Sequence, residues 1–160
     1  MCILACHYHL EDASGLVKSP GYPSFYPNLV NCSWLIVVES GNHITLTTKR
    51  FQLEASYNCE SDALYIYDGP DEKSKLLNKP YCGYKGPSIS SSKNYMFLRF
   101  ITDSMDNGIG FLIQYESVKS KLLILKLILN LFHSSLRRFY WRLQRYYRWD
   151  GNRADKRINF

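Results

Sequence analysis

Several patterns that would indicate an enzyme are absent from this 160-residue chain. It contains no Gly-x-Ser-x-Gly, His-Glu-x-x-His or P-loop sequence, so no nucleophile elbow, zinc-protease helix or phosphate-binding loop is indicated. It also lacks the uninterrupted apolar run of about 20 residues that a membrane-spanning helix requires. Residues 1–6 are apolar, but they have neither the basic n-region nor the length of a signal peptide. The sequence therefore favours a binding protein over a catalyst.

Charge is distributed unevenly along the chain. Residues 1–118 contain 9 lysines and arginines against 12 acidic residues, whereas residues 119–160 contain 11 against 2. The net charge of +6 describes neither part. The asymmetry predicts two physically different segments that meet near residue 118.

Cysteine usage indicates where such a protein is found. Five cysteines in a chain rich in tyrosine, glycine and proline favour an oxidising compartment. A disulfide-bonded domain without a leader is expected to be a piece of a longer secreted or receptor protein. We therefore predict an extracellular or cell-surface location.

Short apolar stretches alternate with turn residues over most of the chain. Residues 33–38 form a nearly continuous apolar run, and residues 44–49 alternate between two faces. Turn residues follow at 39–42 and 85–87. No amphipathic helix is evident before residue 118. The pattern predicts an all-β fold, an antiparallel β-sandwich.

The stretch of residues 51–69 carries the acidic groups of most interest. From Asp62 the sequence alternates like a half-buried strand, with Leu64 and Ile66 on one face. Glu54 and Asp62 precede this strand on a segment without periodicity, so both are predicted to lie in a loop. Two loop carboxylates could be imagined as a glycosidase pair, but alone they are weak evidence for catalysis.

Over residues 6–117 the chain resembles the CUB domain, an extracellular β-sandwich module, and most resembles the modules of multi-CUB endocytic receptors. The resemblance consists of separated matches that occur in the family's order, and this ordered set is far more specific than any single match. The matches are Ser19-Pro20-Gly21-Tyr22-Pro23, Tyr26-Pro27, Cys32-Ser33-Trp34, Leu53-Glu54, Cys59 with Asp62, Asp68-Gly69, Tyr81-Cys82-Gly83, Phe100-Ile101-Thr102-Asp103 and Gly110-Phe111.

The resemblance implies a domain at 6–117, with residues 1–5 outside it, and two disulfides. The implied pairs are Cys6–Cys32 and Cys59–Cys82, which leaves Cys2 without a partner in the domain.

The resemblance also implies a calcium site. Three carboxylates from neighbouring loops would bind the ion, braced by the Tyr26 hydroxyl, with carbonyl oxygens from the turn containing Ser104 and Met105 completing the shell. The three acids are Glu54, Asp62 and Asp103. Acidic trios in general are more often ordinary solvated loop residues, and only the ordered match favours calcium here.

In the family, the same carboxylates also accept a lysine or arginine from a partner protein. The resemblance therefore implies calcium-dependent docking of a basic side chain at an acidic rim, without turnover. Tyr57 could widen this contact or could simply pack on the sheet. The other expected partners are neighbouring CUB or other modules of the parent chain, and no nucleic acid is expected.

Two smaller motifs remain in the domain. Asn31-Cys32-Ser33 fits the N-glycosylation pattern, although the motif often matches by chance. His7 and His9 could present two imidazoles on one strand face, but surface histidines near a terminus are the simpler interpretation.

Residues 118–160 support an alternative function. Residues 118–149 contain no acidic residue and mix arginine with aromatic side chains at near-helical spacing. A basic amphipathic helix of this kind could bind an anionic membrane surface. The abrupt change of character favours instead a segment that is not native to the domain.

Overall fold

The computed structural model describes residues 4–120, 124–125 and 128–129. The chain divides into two compact units, residues 1–120 and 121–160. Cys2 and nearly all of the predicted basic tail, 118–160, lie outside the described residues. Among the residues that are described, no helix is long and apolar enough to cross a bilayer.

The first unit is built from β-strands, which confirms the predicted all-β fold. A short 3-10 turn at Tyr57–Cys59 lies between the fourth and fifth strands. The strands are β1 (Leu4–Leu10), β2 (Ser14–Lys18), β3 (Val30–Val37), β4 (Asn42–Gln52), β5 (Ala63–Tyr67), β6 (Ser88–Ser90), β7 (Tyr95–Ile101) and β8 (Gly110–Lys119).

The strands form two four-stranded sheets with their core between them. One sheet has the order β1-β3-β7-β5 and the other β2-β8-β4-β6. β1 runs parallel to β3, while the other ladders are antiparallel. In neither sheet does a strand pair with the next strand along the chain, so the loops that follow β4 and β7 come together from distant parts of the sequence.

The core follows the alternation expected of half-buried strands. On β3 the inward side chains include Trp34 and Ile36, and on β8 they include Phe111 and Ile113. Phe111 packs edge to face against Phe100, with ring centroids 5.2 Å apart. Aromatic rings packed edge to face in this way fill the space between the two sheets. They keep the ends of the strands in fixed positions.

The first and last strands of the first unit run slightly past residues 6 and 117. β1 begins at Leu4, two residues before the predicted start, because its parallel ladder with β3 continues through the pairs Leu4–Val30 and Ala5–Asn31. β8 likewise continues to Lys119, which pairs with Asn42.

Two disulfides occur among the described residues, and they join the cysteines that the family pattern implies. Cys6 is bonded to Cys32 and Cys59 to Cys82. The first joins two residues that face each other across the β1–β3 ladder. The second ties the 3-10 turn after β4 to the segment that follows β5.

Candidate metal centre

Two loops at one end of the sandwich bring the three acids together, the β4–β5 loop with Glu54 and Asp62 and the β7–β8 loop with Asp103. Asp62 directly precedes β5 and Asp103 closely follows β7, and these strands are neighbours whose ladder pairs Ala63 with Ile101. Glu54 follows β4. One carboxylate oxygen from each of the three residues lies within 4.8 Å of the other two. Calcium–oxygen bonds are about 2.3–2.6 Å long, so oxygens at this spacing can share one ion.

Asp62 is the buried centre of the cluster. Its side chain is fully inaccessible to solvent. Oδ2 accepts a hydrogen bond from the Tyr26 hydroxyl at 2.5 Å, and Oδ1 accepts one from the backbone N–H of Asp103 at 3.0 Å. An ionised carboxylate in this position is satisfied only by such fixed donors. Its orientation is therefore set before any ligand arrives.

Tyr26 links two of the three acids through one hydroxyl group. The same oxygen that donates to Asp62 accepts the backbone N–H of Glu54 at 2.9 Å. Its ring is buried and packs edge to face on Phe100, with centroids 5.2 Å apart. This geometry suits the bracing role that the family resemblance implies for Tyr26.

One oxygen of Glu54 has no partner. Oε2 is buried, yet no protein atom donates a hydrogen bond to it. A buried carboxylate oxygen left without a donor is costly, typically about 1–3 kcal/mol or more for a charged group. A cation at this point would satisfy Oε2 and would also reduce the repulsion among the three acids. The residues present therefore fit calcium, which prefers hard oxygen ligands.

The electrostatics of the cluster follow from burial and from like charges. Burial is the main cause that raises the pKa of Glu54, and the charges of Asp62, Asp103 and Asp106 raise it further. Burial likewise raises the pKa of Asp62, against the lowering effect of its hydrogen bonds from Tyr26 and Asp103. Burial and the bond to Asp62 also raise the pKa of the Tyr26 hydroxyl well above its usual value.

The turn after Asp103 is held by hydrogen bonds to its backbone groups. The Met105 N–H donates to Asp103 Oδ1 at 2.8 Å, and the Ser104 carbonyl accepts from the Asn28 side chain at 2.9 Å. The Asp103 carbonyl accepts the Leu29 N–H at 2.7 Å. Ser104 and Met105 thus belong to the frame of the site, and the role of their carbonyls as ligands stays a prediction.

The remaining predicted positions lie elsewhere on the domain or at the edge of the cluster. Tyr57 begins the 3-10 turn between Glu54 and Asp62, and its side chain is 83% exposed. Asn31 lies on β3 and its Oδ1 accepts a hydrogen bond from Arg99 at 3.2 Å. His7 contacts Ser33 at 2.7 Å on the outer face of its sheet.

Comparison with known proteins agrees with this architecture. The family model described as the CUB domain matches residues 6–115. The chain belongs to the CUB domain family. CUB domains are extracellular protein-binding modules, and some of them bind calcium.

The chain aligns with only a short part of each of the longer proteins that it resembles. It is 42% identical to human cubilin over 118 residues, which are 73% of this chain and 3% of cubilin. It is 38% identical to mouse tolloid-like protein 1 over 107 residues, which are 66% of this chain and 10% of that protein. The chain therefore spans only a small part of these relatives.

A solved CUB structure gives the most direct comparison for the site. The crystal structure of the MASP-1 CUB2 domain bound to Ca2+ aligns with a TM-score of 0.60 and 28% identity. The alignment covers 68% of this chain and 96% of that domain.

Sequence reasoning missed two features of the site. Asp106 adds to the negative potential around Glu54 and Asp62, and its position three residues after Asp103 could have indicated this. The buried, unpartnered oxygen of Glu54 had no signal in the sequence, because it depends on how the loops pack.

Proposed function

We propose that this domain docks a lysine or arginine of an extracellular partner protein in a calcium-dependent manner. The observation that carries the proposal is the buried Oε2 of Glu54, which lacks a donor in a cluster whose oxygens have calcium-ligand spacing. Glu54, Asp62 and Asp103 would hold the ion. The known calcium-bound structure of a related CUB domain supports this assignment.

The proposed roles of the three acids differ with their burial. Asp62 is inaccessible and fixed by Tyr26 and Asp103, so it would act as the anchor for the ion. Glu54 and Asp103 are partly accessible, so their carboxylates would also face a partner's ammonium or guanidinium group. Such a charged pair mainly fixes orientation and speeds association.

Binding without turnover is the activity that this arrangement supports. The donors around Asp62 hold it as an acceptor, and the cluster is built to stabilise positive charge. We expect the domain to work as one module of a larger secreted or cell-surface protein, in which neighbouring modules are further partners.

Calorimetric titration of the whole oxidised chain with calcium tests the metal site. We expect a dissociation constant of roughly 0.1–1 mM, as for other extracellular modules. Glu54→Gln and Asp103→Asn should each weaken binding strongly. Glu39→Gln, in the exposed turn after β3, is the matched control and should bind like the wild type.

Thermal unfolding in EDTA verifies that each variant is folded, because Gln and Asn keep the volume of the acids they replace. If the folded wild type shows neither heat nor a rise in Tm at several times the expected dissociation constant, the calcium mechanism is wrong.

A further inference from the structure

The most exposed large apolar side chains of the domain belong to segments that are linked to the acidic cluster. Four such side chains in residues 4–120 are more than 60% exposed. Three lie in the loops that carry the site residues, and the fourth lies in the segment 82–87, which is hydrogen-bonded to the backbone of residues 53 and 54. The four are Phe25 at 62%, Tyr57 at 83%, Tyr84 at 77% and Met105 at 68%, which we call the apolar rim. Exposed apolar side chains collected around one site indicate an interaction surface.

Each loop of the apolar rim is tied to a residue of the cluster. Phe25 directly precedes Tyr26, whose hydroxyl contacts Asp62. Met105 donates its N–H to the carboxylate of Asp103. These two members therefore have backbone positions fixed by the same hydrogen bonds that organise the acids.

The other two members are joined by a covalent connection. Tyr57 begins the turn that ends at Cys59, and Cys59 is bonded to Cys82. Tyr84 follows Gly83, whose N–H donates to the Glu54 carbonyl at 3.1 Å and whose carbonyl accepts the Leu53 N–H at 2.8 Å. Backbones held in this way lose little conformational freedom when the side chains are covered.

The charged side chains in the loops at this end of the sandwich are mostly acidic. The loop segments 20–29, 53–62 and 102–109 contain five carboxylates and no lysine or arginine. Lys85, next to Tyr84, is the nearest cation in sequence to the rim. The acidic cluster complements a cation, and the apolar rim complements apolar side chains next to that cation.

We propose that the apolar rim selects a protein segment in which the docking lysine or arginine has large apolar side chains on both sides. The inference rests on the proposed function, since the acidic cluster supplies the site for the basic group. Tyrosine, phenylalanine and methionine are enriched in interface cores, where they bury large areas at low entropic cost. The cation is required for docking and fixes the register, and the rim adds affinity for segments with apolar neighbours.

Three synthetic peptides test this directly against the whole chain in saturating calcium. The apolar-flanked peptide has one central lysine with leucines on both sides, and the polar-flanked peptide has serines in place of the leucines. The third peptide keeps the leucines but replaces lysine by norleucine. We expect the apolar-flanked peptide to bind at least about tenfold more tightly than the polar-flanked peptide. The norleucine peptide should bind weakly.

Substitutions in the apolar rim then test whether the rim causes the difference in affinity between the two lysine peptides. Tyr57→Ser and Tyr84→Ser, singly and together, should bring the affinity ratio of the two lysine peptides close to one, while calcium binding is unchanged. Tyr95→Ser is the matched control, because Tyr95 is exposed at the end of β7 remote from Asp103. It should preserve the full ratio.

The outcomes separate the two proposals. If both lysine peptides bind equally and Asp103→Asn abolishes binding of both, the docking function stands and the rim inference is overturned. If neither lysine peptide binds in calcium, or Asp103→Asn has no effect, the docking function fails as well. Tight binding of the norleucine peptide would also overturn the inference, because the rim would then act without the acidic centre.

Discussion

Tyr26 and Asp62 are 36 residues apart in sequence, yet their side chains are joined by a buried hydrogen bond of 2.5 Å. Both are almost completely inaccessible to solvent. The tyrosine ring belongs to the hydrophobic core, and its hydroxyl belongs to the acidic cluster. Core packing is thereby connected directly to the position of the central carboxylate.

Tyr26→Phe should weaken both folding and calcium binding. The substitution leaves Asp62 Oδ2 and the Glu54 N–H without their shared partner, which should lower the free energy of unfolding by about 1–3 kcal/mol. Loss of a residue that orients a metal ligand typically lowers affinity by about 10–100-fold. Urea unfolding in EDTA and calcium calorimetry measure the two effects.

Tyr57→Phe is the matched control for this prediction. Tyr57 is exposed, so removal of its hydroxyl should change stability by no more than about 0.5 kcal/mol. Equal stability and equal calcium affinity for the Tyr26 and Tyr57 variants would contradict the bracing role of Tyr26.

The calcium-free domain should lose stability as pH rises from the ordinary carboxyl range. Burial raises the pKa of Glu54 and of Asp62, so the folded state retains protons that the unfolded chain has already released. The stabilising contribution of these groups is present below about pH 4 and is lost as pH rises through the raised values. Urea unfolding in EDTA at a series of pH values measures the slope.

Glu54→Gln removes one of the two titrating groups and should reduce this fall in stability. The exposed Glu39→Gln should leave it unchanged. Saturating calcium favours the ionised acids and should abolish the fall. A Glu54→Gln variant with the wild-type slope would show that Glu54 does not titrate in this environment.

The sequence predicted the all-β fold and the alternation of β5 better than it predicted how the loops pack against one another. Alternation around Leu64 and Ile66 placed Asp62 at the start of a strand, and the structure agrees. The approach of Glu54 to Asp103 depends on ladders between strands distant in sequence, so only the family resemblance could suggest it. The sequence of β1 did not indicate its parallel pairing either, because the direction of an exposed edge strand depends on the strand with which it pairs.

Gly110→Ala should be much more destabilising than Gly83→Ala. Both glycines have positive φ, +78° and +66°, which costs a non-glycine residue about 1–2 kcal/mol. A Cβ at Gly110 would also overlap Ser19 Oγ, which accepts the Phe111 N–H at 3.0 Å, whereas a Cβ at Gly83 meets only Ala55 at 3.6 Å. Chemical denaturation of both variants measures the difference in their free energies of unfolding. Equal losses of stability would show that backbone strain alone determines the cost of each substitution.

Asn31 should carry a glycan when the chain is secreted. Its side chain is partly accessible on the outer face of β3, and Arg99 contacts only its Oδ1, which leaves Nδ2 free of that bond. When the chain is secreted from a host that glycosylates proteins, its measured mass should fall after glycosidase treatment. Asn31→Gln and Ser33→Ala should each abolish that change, while Asn28→Gln, outside a sequon, should not. A wild-type chain of unglycosylated mass would mean that Cys32 or the early β1–β3 pairing prevents modification.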